Sequence, residues 1–409
     1  MRRLTHPGTE SVRPAHPIRR TRHAWAIVAA VCVPACGDSD AGGIGADDHV
    51  QPESLGPPDA VFPGDFGYVH TAVELPDGHV LVADPLGKAL YRVDMEDGTR
   101  AVIGSLGQGP GEYLQPDAVW PFRGDSILLV DLGNARLVRI GPDLVFGASR
   151  PIATFAGDDA PIMVLPDAVD GEGNAFVSVL GGYPPPDSGA ILRLGLTTAA
   201  VDTVARYKLR EYEITETDDG TYVIPIRLSP QDAWGVAPDG SVVIARAGHY
   251  GVNWFGPNGA VTYGDTIPYA PVPVTRADMA EDLRAAERHG GVSIDSGVSE
   301  DGTRTTNFSR GGFGSPDEEV DYDDYTWHDV KPAFHNAVVR VDPLGRAWVR
   351  RHLPADSGTR YDLFSRGGQL VKALTLEGDR IVAAFGPSHV YIVAFDELDL
   401  AYLERYELP

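Results

Sequence analysis

The sequence predicts an all-β fold: one six-bladed β-propeller of four-stranded antiparallel blades, with a short helix-containing insert between blades 4 and 5. Three observations predict it. A turn glycine followed by a β-branched, apolar strand recurs six times along the 409 residues. Glycine (47) and proline (33) are abundant, as many short strands joined by tight turns require. Apolar residues make up 43% of the chain, enough for a core, and there is little of the Leu-rich helical pattern of an all-α protein.

The chain opens with an address. Arg2, Arg3, Arg13, Arg19, Arg20 and Arg22 form a basic region ahead of a short apolar run from Ala24 to Ala35. That run is too short to span a bilayer as a helix and fits an export signal over residues 1–35. It ends in Val33-Pro34-Ala35-Cys36, which resembles the bacterial lipobox. The resemblance implies cleavage before Cys36 and attachment of lipid to its thiol, so that the protein is exported and anchored to the cell envelope, at the outer membrane, facing periplasm or exterior. Only two cysteines exist, and Cys32 lies inside the cleaved segment, which argues against a disulfide. Residues 36–56 are Gly-, Asp- and Ser-rich without periodicity and read as a flexible tether. The propeller then occupies 57–409.

The formal charge is −24, and residues 1–35 hold six Arg against one Glu, so the remainder carries −29. Such a surface repels nucleic acid and anionic headgroups, leaving the lipid as the one contact with a membrane. The acidity either keeps the protein soluble or attracts cations or basic partners.

The repeat begins at Gly78 and recurs at Gly124, Gly173, Gly240, Gly345 and Gly378, each glycine followed by a strand such as HVLVA or SVVIA. Acidic turns precede four of them: LPDG, DGEG, APDG and DPLG. Such turns supply the positive φ a hairpin needs. Third strands follow at Ala89 to Val93, Arg136 to Ile140, Ile191 to Leu194, Tyr250 to Phe255, Tyr361 to Phe364 and Val390 to Ala394. A fourth runs from Asp97 to Ile103. The glycine spacings are 46, 49, 67, 105 and 33 residues. The long intervals must hold insertions, and the short one leaves blade 5 or 6 without room for all its strands. A lone meander cannot shield both faces, whereas radial stacking shields all of them. Residues 50–70 are placed to close the ring.

Val130-Asp131-Leu132-Gly133-Asn134-Ala135-Arg136-Leu137 resembles an NHL-type repeat, and Leu81 to Val93 is a looser copy. Gly104 to Tyr113, with Pro116, and Val341 to Val349 resemble segments of bacterial six-bladed propeller lipoproteins. The resemblance spans about residues 60–408 and implies fold rather than a defined activity.

The insert runs from about 268 to 332. Thr275 to Asp278 reads as a capping box opening a helix of about 14 residues that His289-Gly290-Gly291 ends. Met279 and Leu283 lie on one face of it. A polar stretch, Val292 to Ser315, leads to an acidic, aromatic run holding Asp317, Glu318, Glu319, Asp321, Tyr322, Asp323, Asp324, Tyr325, Trp327, His328 and Asp329. No D-x-D-x-D-G spacing marks this run as a calcium loop. Tyr322, Tyr325 and Trp327 either line a ligand groove or pin the insert to the propeller face. With His328 and His335 they are the candidate ligand-binding residues. Convergence of His249, His328, His335, His352 and His389 on the axis would make a zinc site, although no short-range spacing supports one. The Gly107-Gln-Gly-Pro-Gly111 stretch lacks the Lys-Ser/Thr of a phosphate cradle and reads as a structural turn.

No G-x-S-x-G and no H-E-x-x-H is present, so no catalytic residue and no cofactor is expected. The expectation is a monomeric envelope protein that binds a protein, peptide or small molecule. The alternative is a calcium- or zinc-dependent lactonase or lyase, an analogy of fold alone.

Overall fold

A computed structural model describes residues 50–154, 162–198, 200–217, 220–298, 304–311, 321–336 and 338–409. The export signal, Cys36 and the acidic residues Asp317, Glu318 and Glu319 lie outside the described residues.

Six antiparallel blades form a ring. Blade 1 comprises Ala72–Glu74, Val80–Asp84, Ala89–Asp94 and Thr99–Val102. Blade 2 comprises Pro116–Phe122, Ser126–Asp131, Arg136–Ile140 and Phe146–Pro151. Blade 3 comprises Ala168–Val169, Asn174–Val179, Ser188–Gly195 and Val201–Lys208. Blade 4 comprises Ala233–Val236, Val242–Ala245, Val252–Phe255 and Val261–Tyr263. Blade 5 comprises Arg340–Val341, Ala347–Arg350, Thr359–Phe364 and Leu370–Leu376. Blade 6 comprises Arg380–Phe385, His389–Phe395 and Ala401–Glu407, and takes its outermost strand, Ala60–Phe66, from the start of the body. The first strands of blades 1 to 5 each touch the next in turn, and that of blade 6 touches blade 1, so first strands surround the axis.

The apolar cores lie between blades. Leu81, Leu90 and Leu129 join blade 1 to blade 2, Trp348 and Ile392 join 5 to 6, and Phe66, Val82 and Leu403 seal 6 against 1. A middle strand therefore has both faces covered, and Val80–Asp84 and Ser126–Asp131 are buried along their whole length. This explains their continuous apolar runs, where a half-solvated strand would alternate. Gly235 is required by close approach: a Cβ there would lie 1.7 Å from the Val339 carbonyl of the chain entering blade 5.

Turn chemistry repeats with the strands. In blades 1, 3, 4 and 5 the glycine N–H donates to the residue three before it, at 2.9 Å (Gly78 to Leu75), 3.0 Å (Gly173 to Asp170), 2.9 Å (Gly240 to Ala237) and 2.9 Å (Gly345 to Asp342). The NHL-like residues of blade 2 hold its entry loop. The buried Asp131 accepts from Leu114 N–H (3.0 Å), Asn134 (2.7 Å) and Arg136 (3.0 Å). Asn134 in turn donates to Gly107 O (2.9 Å) and Arg136 to Glu112 O (2.8 Å). The glycine-rich loop is thus a structural turn, and Glu112 accepts from its Gly109 N–H at 2.7 Å.

Four expectations are corrected. Gly378 is not the sixth copy of the hairpin turn: it lies between blades 5 and 6, and the equivalent turn of blade 6 is at Gly386. Val390 to Ala394 is accordingly a second strand, not a third. The expectation for the ring itself holds: blade 6 has three strands of its own, and Ala60–Phe66, within residues 50–70, closes the ring as its fourth. Residues 52–54, read as the end of a tether, form an extra strand parallel to Leu370–Leu376 at the edge of blade 5. Finally, the polar stretch after the helix holds a β-hairpin, Gly291–Val298 against Arg304–Gly311. Its inner backbone groups pair across the hairpin, and Gln115 takes up the outward N–H and C=O of Arg310, so docking supports it without apolar alternation.

Candidate ligand-binding site

The insert crosses the face of the ring from which the innermost strands begin. Its helix, Arg276–His289, carries the expected capping box: Thr275 accepts from Asp278 N–H, and Asp278 accepts from Thr275 N–H at 2.8 Å. A short pairing of Val272–Pro273 with Val330–Lys331 closes the base of the insert. The helix docks over blades 5 and 6, where Arg288 pairs with Asp379 and lies 4.3 Å over the Phe395 ring. The hairpin docks on blade 2. There Gln115 exchanges two hydrogen bonds with the Arg310 backbone (2.8 and 2.9 Å), and the Arg310 guanidinium pairs with the buried Asp117.

Between helix and ring lies a cavity of about 450 Å³, within the range that holds small organic ligands. Its roof is Asp278, Glu281, Asp282, Ala285 and Ala286 of the helix. Its floor is the entry to blade 1 (Tyr68, Val69, His70), the start of blade 5 (Val338, Arg340) and the start of blade 6 (Asp379, Ile381). Asp84 fixes the first of these by accepting from Gly67 N–H (2.9 Å) and Tyr68 N–H (3.1 Å). Thr71 fixes its other end by bonding both N–H and C=O of Val119, at 2.8 and 2.7 Å. His70 is therefore held from both sides, with Nδ1 3.7 Å from Asp117. Burial pushes the Asp117 carboxyl up, but His70 and Arg310 outweigh it and hold it well below the usual range.

Arg340 reaches from blade 5 toward blade 2. Its guanidinium lies 5.3 Å from the Trp120 ring centroid and donates to His70 O at 3.4 Å. It has no carboxylate partner among the described residues. Burial draws its pKa down to about 10, which leaves it protonated at neutral pH.

The remaining charges of the cavity, Arg210 apart, pair among themselves. Lys331 meets Asp278 at 2.5 Å with both side chains buried. Arg227 meets Asp282 at 2.6 Å, and Arg350 meets Asp379 at 2.5 Å. Burial raises the Asp379 carboxyl, but Arg350 and Arg288 prevail and hold it below its ordinary value. Glu281 is the exception: its Oε2 is buried without a hydrogen-bond partner, Lys331 is 3.8 Å away, and burial raises its pKa.

The residues singled out in the sequence separate. Tyr325 and Trp327 flank Arg227, each ring centroid 5.5 Å from its guanidinium. Trp327 Nε1 donates to Tyr322 O at 2.9 Å. Here the aromatic run pins the insert to the ring, and only Arg227 of this group reaches the cavity. His328 turns back onto Val330 O (2.8 Å). His335 does line the cavity, its ring 3.7 Å from that of His352. Nδ1 of the buried His352 lies 3.0 Å from Pro332 O, a hydrogen-bond distance. A carbonyl only accepts, so Nδ1 carries the proton and Nε2 is an acceptor. Burial above all pulls its pKa down to about 3, so the ring is neutral. His249, His328 and His389 are not among the residues that line the cavity with them. Sequence reasoning missed His70, Asp117, Arg310 and Arg340. The signal shared by His70, Asp117 and Arg340, a polar residue at or just before an innermost strand, is visible only once the blades are phased, and Arg310 lies in the insert hairpin.

Among the described residues no group of three or more His, Cys, Asp or Glu is arranged to hold a metal ion. The cavity carboxylates Asp278, Asp282 and Asp379 already face Lys331, Arg227 and Arg350, so this donor set does not fit a divalent ion.

No protein-family description matches the sequence, and no curated protein matches it. Solved structures similar to the chain include regucalcin, a calcium-binding protein from Agrobacterium tumefaciens, at 12% identity and a TM-score of 0.42, covering 87% of this chain and 96% of that one. A catalytically inactive virginiamycin B lyase from Staphylococcus aureus, solved with quinupristin, has 10% identity and a TM-score of 0.37, covering 84% and 95%. A gluconolactonase from Xanthomonas campestris has 13% identity and a TM-score of 0.36, covering 87% and 98%. At these identities and scores nothing of their chemistry passes to this chain, and the propeller rests on its own strand pairing.

Proposed function

We propose that the chain is an exported, lipid-anchored binding protein that holds a small ligand with an anionic group in the cavity under the insert. One observation carries the reading: Arg340 presents a protonated, oriented guanidinium to the cavity and has no carboxylate partner among the described residues. A guanidinium fork so placed matches a carboxylate or similar oxyanion. Apolar residues Ile226, Leu228, Val338, Ile381 and Phe395 line the rest and suit an organic body. The test is thermal unfolding of the full chain in fractions of small molecules extracted from the cell envelope. At least one fraction should raise the unfolding temperature, and Arg340→Gln should abolish the rise. Equal rises in both proteins would end the reading. The anchor is supported by the lipobox-like residues ending at Cys36. Cys36→Ser should move the protein from the membrane to the soluble fraction and abolish labelling by radioactive palmitate.

A second reading, a lactonase- or lyase-like enzyme, is favoured by one observation. His70 lines the cavity with a carboxylate beside Nδ1, the arrangement by which a histidine is oriented for proton transfer. Turnover of lactone substrates that is lost in His70→Gln would select it over simple binding.

A further inference from the structure

We infer that the ligand of this cavity is a small dipolar ion, an α-amino acid with an apolar side chain, whose carboxylate meets Arg340 and whose ammonium meets Glu281. The inference rests on the binding reading above and specifies its ligand.

The argument is an accounting of charge. Asp278, Asp282 and Asp379 each have a basic partner within 2.6 Å. Those pairs are already matched and leave nothing to offer a ligand. Besides Arg210, two groups remain on opposite sides of the cavity. Glu281 hangs from the helix above, with one carboxylate oxygen buried and without a hydrogen-bond donor, 3.8 Å from a Lys331 that is committed to Asp278. Arg340 lies below, oriented by the Trp120 ring and the His70 carbonyl. A buried acceptor without a donor weakens the fold, so an incoming N–H group that satisfies it binds more tightly for that reason. An anion alone would satisfy Arg340 and leave Glu281 worse off by like-charge repulsion. A cation alone would do the reverse. A ligand carrying both charges satisfies both.

Arg210 also lines the wall without an ion pair. It makes no hydrogen bond or ring contact among the described residues, so nothing orients it as Arg340 is oriented. Between the two charged groups the wall is apolar, with Ile226, Leu228, Val338, Ile381 and Phe395 available to an aliphatic or aromatic side chain. The raised pKa of Glu281 agrees with a carboxylate that has no adequate counter-charge before the ligand enters.

The experiment is calorimetric titration of the full chain with three kinds of probe. These are L-leucine and L-phenylalanine, their amides, which lack the carboxylate, and their des-amino acids, 4-methylpentanoate and 3-phenylpropanoate. The free amino acids should bind at least tenfold more tightly than either analogue. Arg340→Gln should abolish binding of the amino acids and of the des-amino acids. Glu281→Gln should weaken the amino acids alone and bring them level with the des-amino acids. It should leave the circular dichroism unchanged, since it removes a charge that the fold leaves without a hydrogen bond. Des-amino acids that bind the native protein as tightly as the amino acids would overturn the dipolar ligand while leaving anion binding at Arg340 standing. Absence of heat with all six probes would overturn it as well, and the binding reading would then rest on the extract experiment alone.

Discussion

The blades and the insert hold together by different means. Between blades the contacts are apolar and continuous, as with Leu81 and Leu129 or Trp348 and Ile392. The insert meets the ring chiefly through charge: Arg288 with Asp379, Arg227 with Asp282, and Arg310 with Asp117, while Lys331 with Asp278 ties the helix to the insert's own base. Its apolar anchors are few, among them Leu283 at 9% exposure and Phe308 at 7%. Apolar burial is non-directional and cooperative, whereas ion pairs are local and respond to pH and to the loss of one partner. The ring is therefore a frame held by shared apolar cores, and the insert a cover held to it by local contacts.

The largest effect expected is in the frame. Asp131 is fully buried and joins blade 2 to its entry loop. Asp131→Ala should cost about 3–5 kcal/mol, since it leaves Arg136 and buried N–H groups without their acceptor. Urea unfolding measures it, and a loss below about 1 kcal/mol would show that the loop is held otherwise.

Next comes the cover. Lys331→Met strands the buried Asp278, and should cost about 3 kcal/mol of local stability. Hydrogen exchange across 276–289 should then quicken roughly 100-fold while blade amides keep their protection. Equal loss of protection in the blades would show that cover and frame unfold as one.

Acid should act on the seam in two stages. The folded pKa of His352 is depressed to about 3, so the unfolded chain binds the extra proton first. Stability is lost as pH falls from about 6.5 toward 3. Asp117 and Asp379 are also depressed. Their contribution is complete above about 4, the ordinary carboxylate value, and is lost as pH falls through their lower folded values. His352→Gln should flatten the first stage of a plot of unfolding temperature against pH and leave the second. A profile unchanged by that substitution would remove His352 from the account.

The smallest effect is at the rim, where the exposed Arg276 lies 5.6 Å over the Tyr322 ring. Arg276→Ala should change stability by less than about 0.5 kcal/mol.

How much was legible follows from burial. Second strands such as Val80–Asp84 are covered on both faces and must be apolar throughout, so the repeat shows in the sequence. Outermost strands such as Thr99–Val102 are exposed and carry no such constraint. Blade 6 was read out of phase because Gly386-Pro387-Ser388 turns its hairpin without the acidic-glycine signal of the other blades, while Gly378 mimics it. The helix was legible from Thr275 and Asp278, a local capping pattern. The cavity was not, because His70, Asp117, Glu281 and Arg340 are far apart in sequence and meet only across the ring.

By itself, then, the order of residues decided what is local: turns at Asp-Gly pairs, strands that must be covered, one capped helix, and hence a ring of blades. Tertiary structure alone decided which strand closes that ring, that the aromatic run clamps Arg227, and that a guanidinium with no carboxylate partner among the described residues and a carboxylate oxygen with no hydrogen bond face a shared cavity. Local patterns follow from backbone conformation and burial a few residues apart. Pairing of charges depends on which distant strands become neighbours, and that is settled only when the blades pack.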